Sequence, residues 1–267
     1  MKIKLYSWYD HFTLTQQPKY IEWTKADAPI TFYSDTYVYE DVVEKDACAL
    51  LIEPRSIQPK VYEYIEKNYR KFKYVFTHDS KLLAMIPNGK QIFWGGVYEF
   101  NDVEKTKDIS MVSSDKRMCE LHKKRLEIAK QLENVIDCYG TYNGGKRVGT
   151  YDIYAEYRFS VVIENYKDDY WFSEKICNCF ANKTIPIYYG ATKISTDNRL
   201  DFDSRGIIAV NNIDDIVDTV KHIDLDYYYG TEAQEAIEHN YERVKAFTCF
   251  EDTFYLMYKD LLEELAE

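Results

Sequence analysis

Nothing in this 267-residue chain approaches the ~20 consecutive apolar residues that a membrane-spanning helix requires. The opening Met1–Asp10 has no apolar h-region, so a cytoplasmic protein without a transmembrane segment is expected. No Cys-x-x-Cys pair occurs among Cys48, Cys119, Cys138, Cys177, Cys179 and Cys249, and Cys177-Asn178-Cys179 is too tight for a zinc knuckle. Core or neutral surface thiols are the expectation, and a reducing compartment is compatible with them. An excess of positive charge is missing too: 45 acidic residues face 34 Lys and Arg, for a net charge of −11. Such a chain repels phosphate backbones, so no nucleic-acid partner is expected. A single nucleoside diphosphate is different, because one or two placed cations and a few backbone N–H groups suffice to hold it. The Gly-rich stretch Thr141–Tyr154 contains no G-x-x-x-x-G-K-[ST], so it is not a P-loop. Internal repeats and low-complexity tracts are absent from the sequence.

What the chain does have is a 46% hydrophobic content, enough for a sizeable core, and 26 tyrosines. Short β-rich runs alternate with helical ones, which predicts an α/β fold. Lys2–Tyr6, Ala49–Glu53 and Tyr74–Thr77 read as strands of a first unit, with a helix over Lys60–Lys71. Glu53 and His78 then fall at the carboxyl ends of strands, where open parallel sheets bind ligands. The polar stretch Tyr98–Lys107 reads as a linker. A second unit follows with strands from Ile109, over Val135–Tyr139, Arg158–Asn165, Thr184–Tyr189 and Ile207–Val210. Its helices are expected over Lys116–Glu133, Ser173–Asn182, Asp214–His222 and Glu232–Phe247. An amphipathic helix over Asp252–Leu265 closes the chain. Residues 1–104 are thus expected as an acceptor-side domain. Residues 105–267 are expected as a nucleotide-sugar donor domain with a closing helix. The two would be Rossmann-like and face a cleft.

The segment Tyr157–Gly190 carries the chemistry. A buried strand delivers Glu164 and Asn165 to its C-terminal edge. A loop with Lys167, Asp168, Asp169 and Tyr170 follows, and then a helix with Ser173 as N-cap. Glu174 and Lys175 lie in the first helical turn, beside free backbone N–H groups and the positive end of the helix dipole. Lys175 there would complete a compact diphosphate site, and Glu174 suits the two hydroxyls of a ribose diol. Taken singly, Glu174 would only complement the dipole and Lys175 would be a solvated lysine.

This segment resembles the signature of the family 10 glycosyltransferases, the α-1,3-fucosyltransferases. Their pattern of F-E-N, a loop aromatic, T-E-K and V/I-P-I stands here as Ile163-Glu164-Asn165, Tyr170-Trp171, Ser173-Glu174-Lys175 and Ile185-Pro186-Ile187. Counted from Asn165, Trp171 takes the slot of the family's loop tyrosine, so either Tyr170 or Trp171 lines the donor site. Upstream, Ser113-Ser114, Arg125, Leu132 and Asp137-Cys138-Tyr139-Gly140 resemble the family's S-N…R…L…D-x-Y-G stretch. Ser114 stands where the family has Asn. The resemblance implies that Arg125 binds donor phosphate and brings Ser113 and Tyr139 to the donor side. Arg117, Lys123 and Lys124 are nearby cations that compete with Arg125 for that role.

The resemblance further implies a GT-B architecture and transfer of L-fucose from GDP-fucose, a substrate rather than a cofactor, onto a glycan hydroxyl. The alternatives are a transferase for another nucleotide sugar, or a non-catalytic sugar- or nucleotide-binding module of the same fold. Inverting transfer needs one base for the acceptor hydroxyl. Glu53, pinned at a strand end by Pro54, is the candidate, unless Arg55 holds it as an inert ion pair. His78-Asp79 is the rival. Asp201-Phe202-Asp203 and Asp224-Leu225-Asp226 have the Asp-x-Asp form of a metal-diphosphate motif, but protein cations are expected in place of a metal.

Overall fold

A computed structural model describes residues 1–10, 12 and 17–267, which form two compact units. The first comprises Met1–Trp94, Asp168–Trp171 and Cys249–Glu267; the second comprises Gly95–Lys167 and Phe172–Thr248. This differs from a division at residue 104: the final helix belongs to the first unit, not the second. No helix among the described residues is long and apolar enough to cross a membrane.

In the first unit, β1 (Lys2–Tyr6), β2 (Glu22–Thr24), β3 (Ile30–Ser34), β4 (Cys48–Leu51), β5 (Val75–Thr77) and β6 (Gly89–Gln91) form one parallel sheet ordered β2-β1-β3-β4-β5-β6. Two helices, α1 (Pro59–Asn68) and α2 (Ser80–Met85), lie in the β4–β5 and β5–β6 connections. Pleating sorts β4: Ala49 and Leu51 join α1's Val61, Tyr62 and Ile65 in one core, whereas Cys48 and Leu50 join Phe250, Phe254 and Leu262 in the other. Phe32, Phe76 and Phe254 form an aromatic triad with ring centroids 5.0–5.9 Å apart. A sheet buried on both faces needs a second cover. The C-terminal residues supply it, and this is why they leave the unit that precedes them in sequence.

In the second unit, β7 (Lys107–Val112), β8 (Asp137–Tyr139), β9 (Tyr157–Ile163), β10 (Ile185–Tyr189) and β11 (Ile208–Ala209) form a parallel sheet ordered β11-β10-β9-β7-β8. Helix α3 (Glu120–Leu132) joins β7 to β8, and α4 (Glu174–Ala181) joins β9 to β10. Beyond β11 come α5 (Ile216–His222), α6 (Leu225–Tyr228) and α7 (Thr231–Val244), and α8 (Phe250–Ala266) is the closing helix of the first unit. One core packs β7, β9 and β10 against Ile128, Ala129 and Leu132 of α3, Ile216 and Val220 of α5, and Ala233 and Ile237 of α7. Helix α3 begins later than its periodicity predicts, leaving Met118 outside it and 63% exposed.

Both sheets therefore share the spatial order 2-1-3-4-5, counted within each unit. In this doubly wound topology the connections diverge between the first and third strands, and ligands bind beyond the carboxyl ends at that switch point. In the first unit it lies between β1 and β3, and in the second between β7 and β9.

Gly140, just after β8, packs against the chain leaving β7. Its φ is +100°, and an added Cβ would lie 2.2 Å from the Ser113 carbonyl oxygen, which accepts the Tyr142 N–H. Gly144 also has a positive φ (+71°) but nothing within 4 Å of a Cβ. Gly140→Ala is expected to lose about 1–3 kcal/mol in urea denaturation and more than Gly144→Ala, because the second change meets only the backbone penalty. Equal losses would show that the Ser113 contact is unimportant.

Candidate functional site

A cleft of about 520 Å³ opens at the β7/β9 switch point, lined by Ser114 after β7, Arg125 on α3, Asn165 after β9, and Glu174 and Lys175 on α4. Lys116, His122, Arg147 and the turn Tyr151–Ala155 complete much of its wall. In a chain of net charge −11, four cations here face one carboxylate among the described residues, Glu174. The cleft is therefore a local anion site on an acidic protein.

Its foundation is Glu164, wholly buried at the end of β9. Its Oε1 accepts the Ser173 backbone N–H at 2.9 Å, and its Oε2 accepts the Ser173 hydroxyl at 2.7 Å and the Lys175 ammonium at 3.2 Å. The Ser173 Oγ in turn accepts from Lys175 Nζ at 2.8 Å. Burial alone would lower the Lys175 pKa, but Glu164 and Glu174 outweigh it and hold the ammonium above the ordinary lysine value. Burial likewise acts to raise Glu174, and the Lys175 charge, 3.6 Å away, turns the net shift downward. Gly190 permits this packing: a Cβ there would lie 2.6 Å from Glu164 Cγ.

Arg125 is 6% exposed, and no carboxylate among the described residues lies within ion-pair distance of it. Its Nη1 donates to the Ile163 carbonyl at 3.1 Å and to Asn165 Oδ1 at 3.4 Å, while its Nε has no hydrogen-bond partner among the described residues. Burial lowers its pKa, yet a guanidinium stays charged. His122, one turn earlier on the same face, accepts the Met118 N–H on Nδ1 at 3.2 Å. The network thereby assigns the proton to Nε2, which lies 2.9 Å from Asn165 Oδ1. Burial, then the Arg125 charge, push this imidazole down to about 4, so it is neutral. Two donors thus converge on the Asn165 carbonyl oxygen and fix the orientation of its amide.

Four residues expected on the donor side, Arg125, Asn165, Glu174 and Lys175, meet in this cleft; five others do not line it. Glu164 is spent behind it on Ser173 and Lys175. Ser113 is 2% exposed, and its hydroxyl donates to the Ser114 carbonyl at 3.3 Å. Tyr139 Oη sits 2.6 Å from Tyr157 Oη. Tyr170 and Trp171 belong to the first unit, and Trp171 is buried with its ring 4.3 Å from that of His78. The Asp-x-Asp tripeptides are structural: Asp203 and Asp224 cap short helices, and Asp226 pairs with Arg158 at 2.8 Å. The reading of the sequence had no place for Lys116, His122 or Arg147. The i, i+3 spacing of His122 and Arg125 was a usable signal for one. Nothing local marks Arg147, which a Gly-flanked loop brings in.

At the first unit's sheet edge, Trp8 and Tyr9 follow β1, Asp35 follows β3, and Glu53 lies two residues beyond β4. Trp8 is 75% exposed, with Nε1 donating to Thr36 Oγ1 at 2.8 Å and its ring edge-on to Tyr37. Glu53 has its N–H on Asp35 Oδ1 at 3.2 Å and its carbonyl on the Tyr62 hydroxyl at 2.8 Å. Arg55 is bidentate to Asp79, with both contacts at 2.8 Å, and reaches Glu66 at 2.7 Å. That occupies the guanidinium which might have neutralised Glu53. The rival His78 is fully buried, and burial drives its pKa down to about 3.

Residues 103–227, just under half the chain, match the family model described as glycosyltransferase family 10 (fucosyltransferase), C-terminal. No curated protein sequence matches. Among solved structures, an α1,3-fucosyltransferase with GDP is similar at 14% identity and a TM-score of 0.55, over 98% of this chain and 90% of that one. The same enzyme class with GDP-fucose aligns at 13% identity and a TM-score of 0.54, covering 100% and 90%. TarM aligns at 14% identity and a TM-score of 0.57, covering 91% of this chain and 56% of TarM. At these identities the structural likeness establishes the fold, that of the GT-B glycosyltransferases. Through residues 103–227, then, the chain is similar to glycosyltransferase family 10, and it is a glycosyltransferase.

Proposed function

We propose that this protein transfers L-fucose from GDP-fucose onto a glycan hydroxyl, with inversion at the anomeric carbon and without a metal. The observation that carries the reading is Arg125, a buried guanidinium that has no carboxylate partner and no partner for its Nε among the described residues, beside Lys175 in a cationic cleft. A buried charge left this way is costly unless an anion joins it. The family match and the relatives solved with GDP and GDP-fucose support the choice of nucleotide and sugar.

In this mechanism Glu53 takes the acceptor O–H proton as the oxygen attacks C1. The C1–O bond to phosphate breaks, and GDP departs with the bonding pair. Arg125 and Lys175 neutralise the charge that grows on the diphosphate, which is the task a divalent cation performs elsewhere. Lys116 and Arg147 flank them. Glu174 accepts from the ribose hydroxyls, and Asn165, its amide fixed by His122, contacts the sugar or nucleoside. Of the two loop aromatics, Tyr170 retains the more accessible ring. On the acceptor side, Trp8 and Tyr9 at the first switch point offer exposed rings to a sugar's C–H face.

GDP at a hundredfold excess over its Kd is expected to raise Tm by roughly 5–10 °C, unchanged by EDTA, with UDP, CDP and ADP weaker. Preference for another nucleotide would move the donor to a different sugar nucleotide; silence across the panel would favour a non-catalytic module; loss of activity in EDTA would end the metal-free reading.

Lys175→Met is expected to cut kcat/KM by about 10²–10³-fold, and Glu53→Gln to cut kcat by about 10²–10⁴-fold with GDP affinity retained. Proton NMR of the first product should show the inverted anomer; a retained one would remove the base role from Glu53. Trp8→Ala should raise KM for acceptor and leave that for donor unchanged.

A further inference from the structure

Glu53 lies past the last residue of β4 that pairs in the sheet: Leu50 is in register with Ser34, and Leu51 with Thr77. Beyond that point β3 no longer offers backbone carbonyls to the N–H groups of Ile52 and Glu53. One side chain replaces them. Asp35 Oδ1 accepts the Ile52 N–H at 3.0 Å and the Glu53 N–H at 3.2 Å, and the Ser34 hydroxyl donates to Oδ2 at 3.2 Å. Asp35 reaches this place by adopting φ +49°, a left-handed conformation that Asp and Asn tolerate best among residues with a Cβ. It is 4% exposed. A strained, buried carboxyl that grips two consecutive backbone N–H groups is an expensive way to end a strand, and strain of this kind gathers where geometry must be held.

We propose that Asp35 is a positioning residue for Glu53, clamping its backbone at the switch-point edge so that the Glu53 carboxylate meets the acceptor hydroxyl. This rests on the reading of Glu53 as the base. Tyr62 holds the other side of the same residue through the Glu53 carbonyl. The candidate base is thus gripped at N–H and C=O by two different elements.

The clamp also brings a second carboxyl close to the first. Burial pushes Asp35 up to about 7, the two backbone N–H groups pull it back, and the Glu53 charge adds to the rise. Among the described residues, three further titratable groups stand near it, and each is uncharged in this range. Tyr9 beyond β1 and Tyr62 on α1 are both raised above the ordinary tyrosine value by burial, and His78 at the end of β5, 3.4 Å from the Tyr62 hydroxyl, is held neutral by burial. As pH rises through about 7, Asp35 ionises beside Glu53, and the added negative charge favours proton uptake by Glu53. Activity should therefore climb across that range. Stability should do the opposite. Native Asp35 holds its proton more tightly than the unfolded chain, whose value is near 3.8, so its contribution is complete below that pH and is lost as pH rises through about 7.

Asp35→Asn, Asp35→Ala and Glu53→Gln, measured side by side, test this. Asn keeps an acceptor oxygen and tolerates the left-handed backbone. Asp35→Asn should fold, turn over near the wild-type rate at pH 6, lack the rise through pH 7, and lose less Tm than wild type between pH 5 and 8. Asp35→Ala removes the clamp and should lower kcat by roughly 10²-fold, the scale of a small misplacement of a reacting group, while the GDP-induced thermal shift persists. Asp35→Ala with wild-type kcat, or Asp35→Asn with an undiminished step near pH 7, would overturn the inference. If Glu53→Gln left turnover intact, the failure would lie in the assignment of the base, whatever the Asp35 variants did.

Discussion

One buried carboxylate organises the donor cleft. Glu164 has no exposure, and its two oxygens are taken up by the Ser173 N–H, the Ser173 hydroxyl and the Lys175 ammonium. Through these bonds the end of β9 is tied to the first turn of α4. The direction in which that helix presents its free N–H groups is set by a charge that never sees solvent. Buried carboxylates are tolerated only when paired and hydrogen-bonded. Here the pairing does more than satisfy Glu164: it holds Lys175 on the cleft wall as a cation. Burial acts to lower the Lys175 pKa, and Glu164, with Glu174, outweighs it, so the same carboxylate that fixes the position of Lys175 also helps to keep its charge. Glu164 thus acts through Lys175 and not on a ligand.

Around this point the cleft repeats a single principle, a polar group held by a second polar group behind it. His122 holds the Asn165 amide, Ser173 holds Lys175, and the Ile163 carbonyl holds one arm of Arg125. The first unit follows the same principle with different chemistry. Asp35 and Tyr62 hold the Glu53 backbone, and Asp79 with Glu66 removes Arg55 from it. Two parallel sheets of the same winding order therefore each offer a supported set of side chains at their carboxyl edge, one cationic and one carboxylate-rich with exposed aromatics. That division of charge matches what glycosyl transfer requires, since negative charge leaves with the diphosphate while a proton is lost by the acceptor.

The second unit was largely legible because its elements are long and their signals local. The β9 apolar run, the Ser173 cap, the Glu174-Lys175 turn and the Ile185–Tyr189 strand each stand within a few residues of their predicted bounds. The first unit was less so. Strands β2 and β6 have three residues each, too short to show alternation, and β3 is buried along its whole length and so carries no polar period. The role of Glu164 was misread for a physical reason: a sequence places a residue at a strand end but does not say on which side of the pleat, or behind which cap, its side chain comes to rest. Ser113 and Ser114 illustrate the same limit one residue apart. The closing helix could be foreseen as amphipathic, but its partner face, built from Phe32, Phe76 and Leu50, lies some two hundred residues away in sequence. Asp35 left no signal, because its contacts depend on a backbone angle and on two N–H groups just past the end of another strand.

The proposed function requires an acidic chain to bind a nucleoside diphosphate. Long-range attraction works against it, since the net charge is −11 and phosphate carries the same sign. Screening limits that repulsion to about 8–10 Å at ordinary ionic strength. Inside the cleft, Arg125 and Lys175 are partly withdrawn from water, where their interaction with phosphate is less screened than that of exposed charges. Binding of this kind gains its strength at short range, from groups already oriented and already desolvated, and loses only encounter rate to the overall charge. Preorganisation by Glu164, His122 and the Ile163 carbonyl is the physical basis on which the proposed binding rests: two cations are held in place before any anion arrives, while the remaining acidic surface disfavours larger polyanions that the cleft cannot enclose.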